Sequence, residues 1–139
     1  MTYGGSSGGA MALTMAWFRT ERYHRVLSYS GTFVDLRSSA EAPHGAYEYP
    51  EHFFPEKPVK PLRIWMHVSE NDLGAKTASA DRRNWVIANQ RLASVLRAKG
   101  YHYQFVYSKN SGHVDRKVIS QTLPQALEYV WQGFPTGAK

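Results

Sequence analysis

At 139 residues, with 42% hydrophobic and 14% aromatic side chains, the chain has the length for one domain with a modest core and is too apolar for a disordered segment. No apolar run reaches the roughly 18 residues of a membrane span, no basic stretch ahead of an apolar run marks an export signal, and the lack of cysteine removes disulfides, thiol catalysis and cysteine metal sites. The net charge of +6 is the balance of 17 basic and 11 acidic residues, and the basic ones are scattered from Arg19 to Lys139, which describes a basic surface and no nucleic-acid motif.

The chain opens MTYGGSSGG. Behind the glycines, AMALTMAWF is apolar on nearly every side, which predicts a helix buried against a sheet and ending near 19–21. HRVLSYSG predicts a short buried strand over Arg25–Ser30, stopped by Gly31. From Gly31 to Pro61 the prolines Pro43, Pro50, Pro55, Pro58 and Pro61 exclude a long helix or a central strand. That stretch, with Tyr47, Tyr49, Phe53 and Phe54, is either a loop over a site or a surface excursion pinned by its own rings.

PLRIWMHV (Pro61–Val68) predicts a strand and SENDLG a loop after it. Trp85, Ile87, Ala88, Leu92, Val95 and Leu96 recur at spacings of a helix face over about 82–99, and Gly100 stops that helix. Tyr101–Tyr107 alternates and is rich in strand formers, SKNSGH reads as a loop, and a last helix is expected near Thr122 with Pro124 in its first turn. Strands alternating with helices imply a parallel sheet covered on its faces. In such sheets the working loops lie beyond the carboxyl ends of the strands, where Ser6, Asp72 and His113 all fall.

A serine hydroxyl becomes a nucleophile when a histidine takes its proton and an acid orients that histidine. The turn G-x-S-x-G exposes such a serine between a strand and a helix, with the partners following in the order Ser, Asp or Glu, His. GGSSGG holds two overlapping copies, one centred on Ser6 and one on Ser7, and a flexible linker has the same composition. Asp72 and His113 follow in the required order. Glu70 is a rival acid in the same loop as Asp72, and Asp115 lies too near His113 in sequence to face it across a site. His24, His67 and His102 fall in or beside predicted elements, while His44 and His52 fall in the proline-rich loop. No ligand spacing supports a metal.

GGSSGGAMAL, VLSYSG, HVSENDLG, NWVIANQRLASVL and NSGHVD together resemble an esterase family of α/β-hydrolases. That family holds enterochelin-esterase-like, esterase-D-like and feruloyl- or acetylxylan-esterase-like proteins, and the likeness runs from Tyr3 to about Phe134. It implies a three-layer α/β fold with a partial parallel sheet. It implies Ser6 as nucleophile, because Ser6 alone is followed by one residue and then Gly8-Gly9. It further implies Asp72 rather than Glu70 as the acid, His113 as the base and the Ser7 N–H as an oxyanion donor. The substrate would be a small-molecule ester, with no cofactor and no metal. Tyr47, Tyr49, Phe53 and Phe54 would contact an aromatic or sugar ester.

Family members carry several strands ahead of the elbow. Residues 1–139 are therefore expected to form one truncated domain, the C-terminal half of the fold, with 31–61 inserted. The elbow strand would lie at an open sheet edge, which invites a second copy or the other half of the fold. An impaired fragment serving as an interaction or oligomerisation module is the alternative. Neither a membrane nor a nucleic-acid partner is expected, and the compartment is left open.

Overall fold

The computed structural model describes residues 1–134. Strands β1 (Thr2–Gly5), β2 (Arg25–Tyr29), β3 (Arg63–Asn71) and β4 (His102–Gly112) form one parallel sheet in the order β1-β2-β3-β4. Helix α1 (Ser7–Phe18) follows β1, the short α2 (Phe54–Glu56) lies between β2 and β3, α3 (Trp85–Ala98) precedes β4, and α4 (Arg116–Trp131) ends the fold.

Successive strand side chains point to opposite faces, and both faces are apolar because both are covered. Val26, Ile64 and Met66 pack with Leu13, Ala16 and Trp17 of α1 and with Ala88, Leu92 and Leu96 of α3. Their neighbours Leu27, Tyr29 and Trp65 pack on the opposite face with Ala126 and Val130 of α4. The result is the three-layer α/β arrangement expected from the sequence. No helix among the described residues is long and apolar enough to cross a membrane.

Several elements differ from the sequence reading. β3 runs on through Ser69, Glu70 and Asn71, and β4 through Ser108–Gly112, where loops were expected. A register irregularity between Ser69 and Asn71, with Asn110 at a φ of 53°, accommodates polar residues that a regular ladder would not favour. The last helix begins at Arg116 and not near Thr122. Asp115 caps it by accepting from the Lys117 and Val118 N–H groups, and these bonds hold the Asp115 carboxyl below its ordinary pKa. Pro124 therefore sits inside a helix.

The proline-rich connection is folded, not open. A turn at Gly45–Tyr47, a π-type turn at Tyr49–Phe53 and α2 place Tyr47 (1% exposed) and Phe54 (0%) in the core. Phe53 and Phe54 stack on Trp17 of α1, at ring-centroid distances of 5.0 and 4.4 Å. Helix α1, expected to be wholly buried, leaves Met11, Met15 and Phe18 exposed beside Met1 and Tyr3, because β1 is the edge of the sheet.

Candidate active site

The sharp turn between β1 and α1 is built by close backbone approach. A side chain at Gly4 would place its Cβ 2.3 Å from the backbone of Gly8, and one at Gly5 would lie 2.8 Å from a methyl of Val114. Glycine is the residue that permits such contact. Ser6 stands at the apex with φ 56° and ψ −126°, a conformation disfavoured for any residue with a Cβ. The sheet and the following loop hold it there. Ser6 N–H donates to Tyr29 O (2.9 Å), and Ser6 O accepts from Thr32 N–H (3.1 Å). Ser7 is the first residue of α1. No backbone carbonyl among the described residues accepts its N–H, as is general for the first turn of a helix.

Asp72 and His113 are brought together from the ends of β3 and β4. His113 Nδ1 lies 2.6 Å from Asp72 Oδ1, with the carboxylate wholly buried and the imidazole 22% exposed. Three further donors meet the carboxylate. Leu73 N–H donates to Oδ1 (2.8 Å), and Ser69 N–H (3.2 Å) and the Ser30 hydroxyl (2.6 Å) donate to Oδ2. The loop behind Asp72 is fastened by Asn84, whose side chain caps α3 through Ile87 N–H and donates to the carbonyls of Ala75 and Thr77. The Trp85 ring meets the imidazole edge to face at 6.0 Å.

The imidazole loop rests against the elbow through the contact of Val114 with Gly5. Ser6 and His113 are not hydrogen-bonded in this structure; the Ser6 hydroxyl instead lies 3.4 Å from the Thr32 hydroxyl. A cavity of about 450 Å³ is lined by Ser7, Thr32, Val34, Leu36, Arg37 and Ala46.

The rival residues are engaged elsewhere. Glu70 Oε2 accepts from Asn110 N–H and ties the irregular ends of β3 and β4 together. Asp115 caps α4. His67 is fully buried, bonded through Nε2 to the Ser108 hydroxyl (2.8 Å), and burial lowers its pKa to about 4, so it is neutral near pH 7. His44 lies between Asp35 and Arg82, and His52 between Glu48 and Glu56. No cluster of three or more His, Asp or Glu side chains suited to a metal occurs among the described residues.

Tyr47, Tyr49, Phe53 and Phe54, expected to touch substrate, are instead committed to the core. Tyr47 and Phe54 have no surface left to offer, and Tyr49 and Phe53 pack on the same cluster, with the Tyr49 hydroxyl bonded to Thr14. Ser30, Thr32 and Trp85 were not singled out from the sequence. The one available sign was the position of Ser30 and Thr32 just beyond a strand's carboxyl end.

The model of the prolyl oligopeptidase family matches residues 1–133. Among solved structures, an enterochelin esterase from Shigella flexneri is similar at a TM-score of 0.68 and 24% identity over 94% of this chain. The enterobactin esterase of Shigella flexneri, determined in the presence of 2,3-dihydroxy-N-benzoyl-serine, is similar at 0.62 and 22% over the same share. The chain spans 30% of the length of each. At these identities the likeness is one of fold, and it bears out the α/β-hydrolase resemblance read from the sequence. No curated protein matches the chain.

Proposed function

The chain belongs to the prolyl oligopeptidase family of α/β-hydrolases, and from that premise we propose that it carries the catalytic residues of a serine carboxylic-ester hydrolase. The observation that carries the reading is the 2.6 Å Asp72–His113 pair, held beside an elbow whose apex, Ser6, has a φ of 56°. With Nδ1 occupied by Asp72, the free nitrogen of His113 is Nε2, the position a general base needs.

In this reading Ser6 Oγ leaves the Thr32 hydroxyl, turns to His113 Nε2 and attacks the ester carbonyl as its proton passes to the imidazole. The oxyanion that forms is met by the Ser7 N–H. The imidazolium then gives its proton to the departing alcohol, leaving an acyl group on Ser6. Water gives a proton to the same imidazole as it attacks the acyl carbonyl, and the imidazolium returns that proton to Ser6 Oγ as the acid leaves. The substrate would lie in the cavity lined by Thr32, Val34, Leu36 and Arg37. The fold-level likeness to enterochelin esterases favours an ester. The family's name favours a peptide bond, which the same steps would also cleave.

The test is hydrolysis of p-nitrophenyl acetate and of a peptide p-nitroanilide by wild type, Ser6→Ala and Ser7→Ala. The expected outcome is faster ester than amide cleavage, abolished by Ser6→Ala and retained in Ser7→Ala, whose N–H persists. Equal rates for wild type and Ser6→Ala would remove Ser6 from the mechanism.

Two observations favour a second reading, an interaction module without turnover. The Ser6 hydroxyl is turned to Thr32 and not to His113, and among the described residues no strand pairs with the outer edge of β1, beside exposed Met11 and Met15. A fluorophosphonate separates the two, since it labels Ser6 only where the imidazole can activate it.

A further inference from the structure

We propose that Ser30 is a positioning residue, holding the Asp72–His113 pair in its working orientation; the proposal rests on the catalytic reading above. Ser30 is fully buried at the end of β2, on neither of the strands that carry the pair. Its hydroxyl donates to Asp72 Oδ2 at 2.6 Å, and the same oxygen accepts from Val114 N–H at 3.3 Å. Its own N–H donates to His67 O on β3 at 2.8 Å. One hydroxyl therefore joins the ends of three strands, touching the acid directly and the base through the residue next to it.

The division of labour on the carboxylate makes this contact matter. Oδ1 takes His113 Nδ1 and Leu73 N–H, so Oδ2 must hold the group against rotation. Without Ser30, Oδ2 retains, among the described residues, only Ser69 N–H at 3.2 Å. A carboxylate free to turn carries His113 Nδ1 with it, and the orientation of the imidazole is what the acid supplies to catalysis. Val114 N–H would lose its acceptor at the same time, which loosens the other end of the pair.

The backbone points the same way. Ser30 has a φ of 48°, in the left-handed region that favours glycine, and glycine follows at the next position. A residue chosen only for that backbone shape would be glycine. The serine keeps the strained conformation and adds a hydroxyl, directed at Asp72.

This separates strain from positioning by experiment. Ser30→Gly removes the hydroxyl and relieves the backbone, whereas Ser30→Ala removes the hydroxyl and keeps the strain. A positioning role predicts that kcat for p-nitrophenyl acetate falls about tenfold in both variants with KM within about twofold. Ser30→Gly would melt above Ser30→Ala although the two lose the same activity. The proton NMR signal of His113 Nδ1–H, far downfield in wild type because of its short bond to Asp72, would weaken or move upfield in both. Wild-type kcat and an unmoved resonance in Ser30→Gly would overturn the proposal, as would activity that recovers with stability from Ala to Gly. If the wild type hydrolyses neither substrate while the resonance is present and is lost in both variants, the catalytic reading fails and the positioning role stands.

Discussion

His67 makes the stability of this fold depend on mildly acidic pH, and replacing it with glutamine removes that dependence. Its ring is fully buried, stacked on Trp65 at 6.2 Å with an interplanar angle of 9°. Nε2 is bonded to Ser108, and Nδ1 has no partner among the described residues. Burial disfavours the charged ring and lowers its pKa to about 4, although Asp72 and Asp115 pull in the opposite direction. In the unfolded chain the same ring titrates at about 6.5. Above that value both states are neutral and nothing is lost. As pH falls from about 6.5 to about 4, the unfolded state binds a proton that the native state refuses, so stability falls with pH across this window. At pH 5 the loss is about 2 kcal/mol, approaching a ceiling of about 3 kcal/mol below pH 4. The assay is urea denaturation at pH 7.5 and pH 5.0 for wild type and His67→Gln. Other groups titrate in both proteins, so the informative quantity is the difference between their two losses. Wild type should lose about 2 kcal/mol more than the variant, a relative shift of about 1 M in urea midpoint. Equal losses would refute the assignment of a neutral buried imidazole.

Asp72→Asn should lower kcat by about 10⁴-fold, measured on p-nitrophenyl acetate. An amide must point a donor at one of the donors Ser30, Ser69, Leu73 or His113, and the imidazole tautomer is lost. Gly4→Ala should destabilise the fold by about 3 kcal/mol in thermal or urea unfolding, because the Gly8 backbone it would strike cannot rotate away. Sedimentation should detect concentration-dependent association of wild type through the β1 edge, abolished by Met11→Lys with Met15→Glu. A wild-type monomer at high concentration would remove that interface.

The sheet and the order of its strands were legible in the sequence because buried parallel strands and the helices between them leave strong apolar patterns. VLSY and RIWMHV are such patterns, and both are central strands. The elbow was legible for a different reason: Gly4 and Gly5 are there because atoms of Gly8 and Val114 occupy the space a side chain would need. What escaped was decided by tertiary contact. The polar tails of β3 and β4 are strands because they pair with each other, with Glu70 closing the irregularity at Asn110. The start of α4 was misplaced because Pro124 carries a strong helix-start signal, while Asp115, the actual cap, was weighed only as a rival acid. The proline-rich connection was left open between a loop over a site and an excursion pinned by its own rings, because prolines exclude regular elements and leave no periodic pattern to read. A short irregular segment can still bury its rings, and Trp17 supplies the surface for them.

The three catalytic candidates are not held equally, and the sheet explains the difference. Asp72 and His113 extend from β3 and β4, which pair over seven consecutive positions from Arg63–His102 to Ser69–Ser108 and again at Asn71–Gly112. Their mutual bond is short, and four donors fix the carboxylate. Ser6 extends from β1, a strand of four residues with β2 as its only neighbour in the sheet among the described residues. Its backbone is strained, and the bonds that restrain it come from Tyr29 and Thr32 on the β2 side and from the Gly9 and Ala10 N–H groups of α1. Strain persists where surrounding structure over-determines it, and here the bonds to Tyr29 and Thr32, the first turn of α1 and the packing of Val114 on Gly5 supply that structure. The Asp72–His113 pair is thus fixed by several donors, while the hydroxyl of Ser6 rests on Thr32. A strand laid on the free edge of β1 would brace the elbow from the other side, so the open edge and the orientation of Ser6 belong to a single structural question.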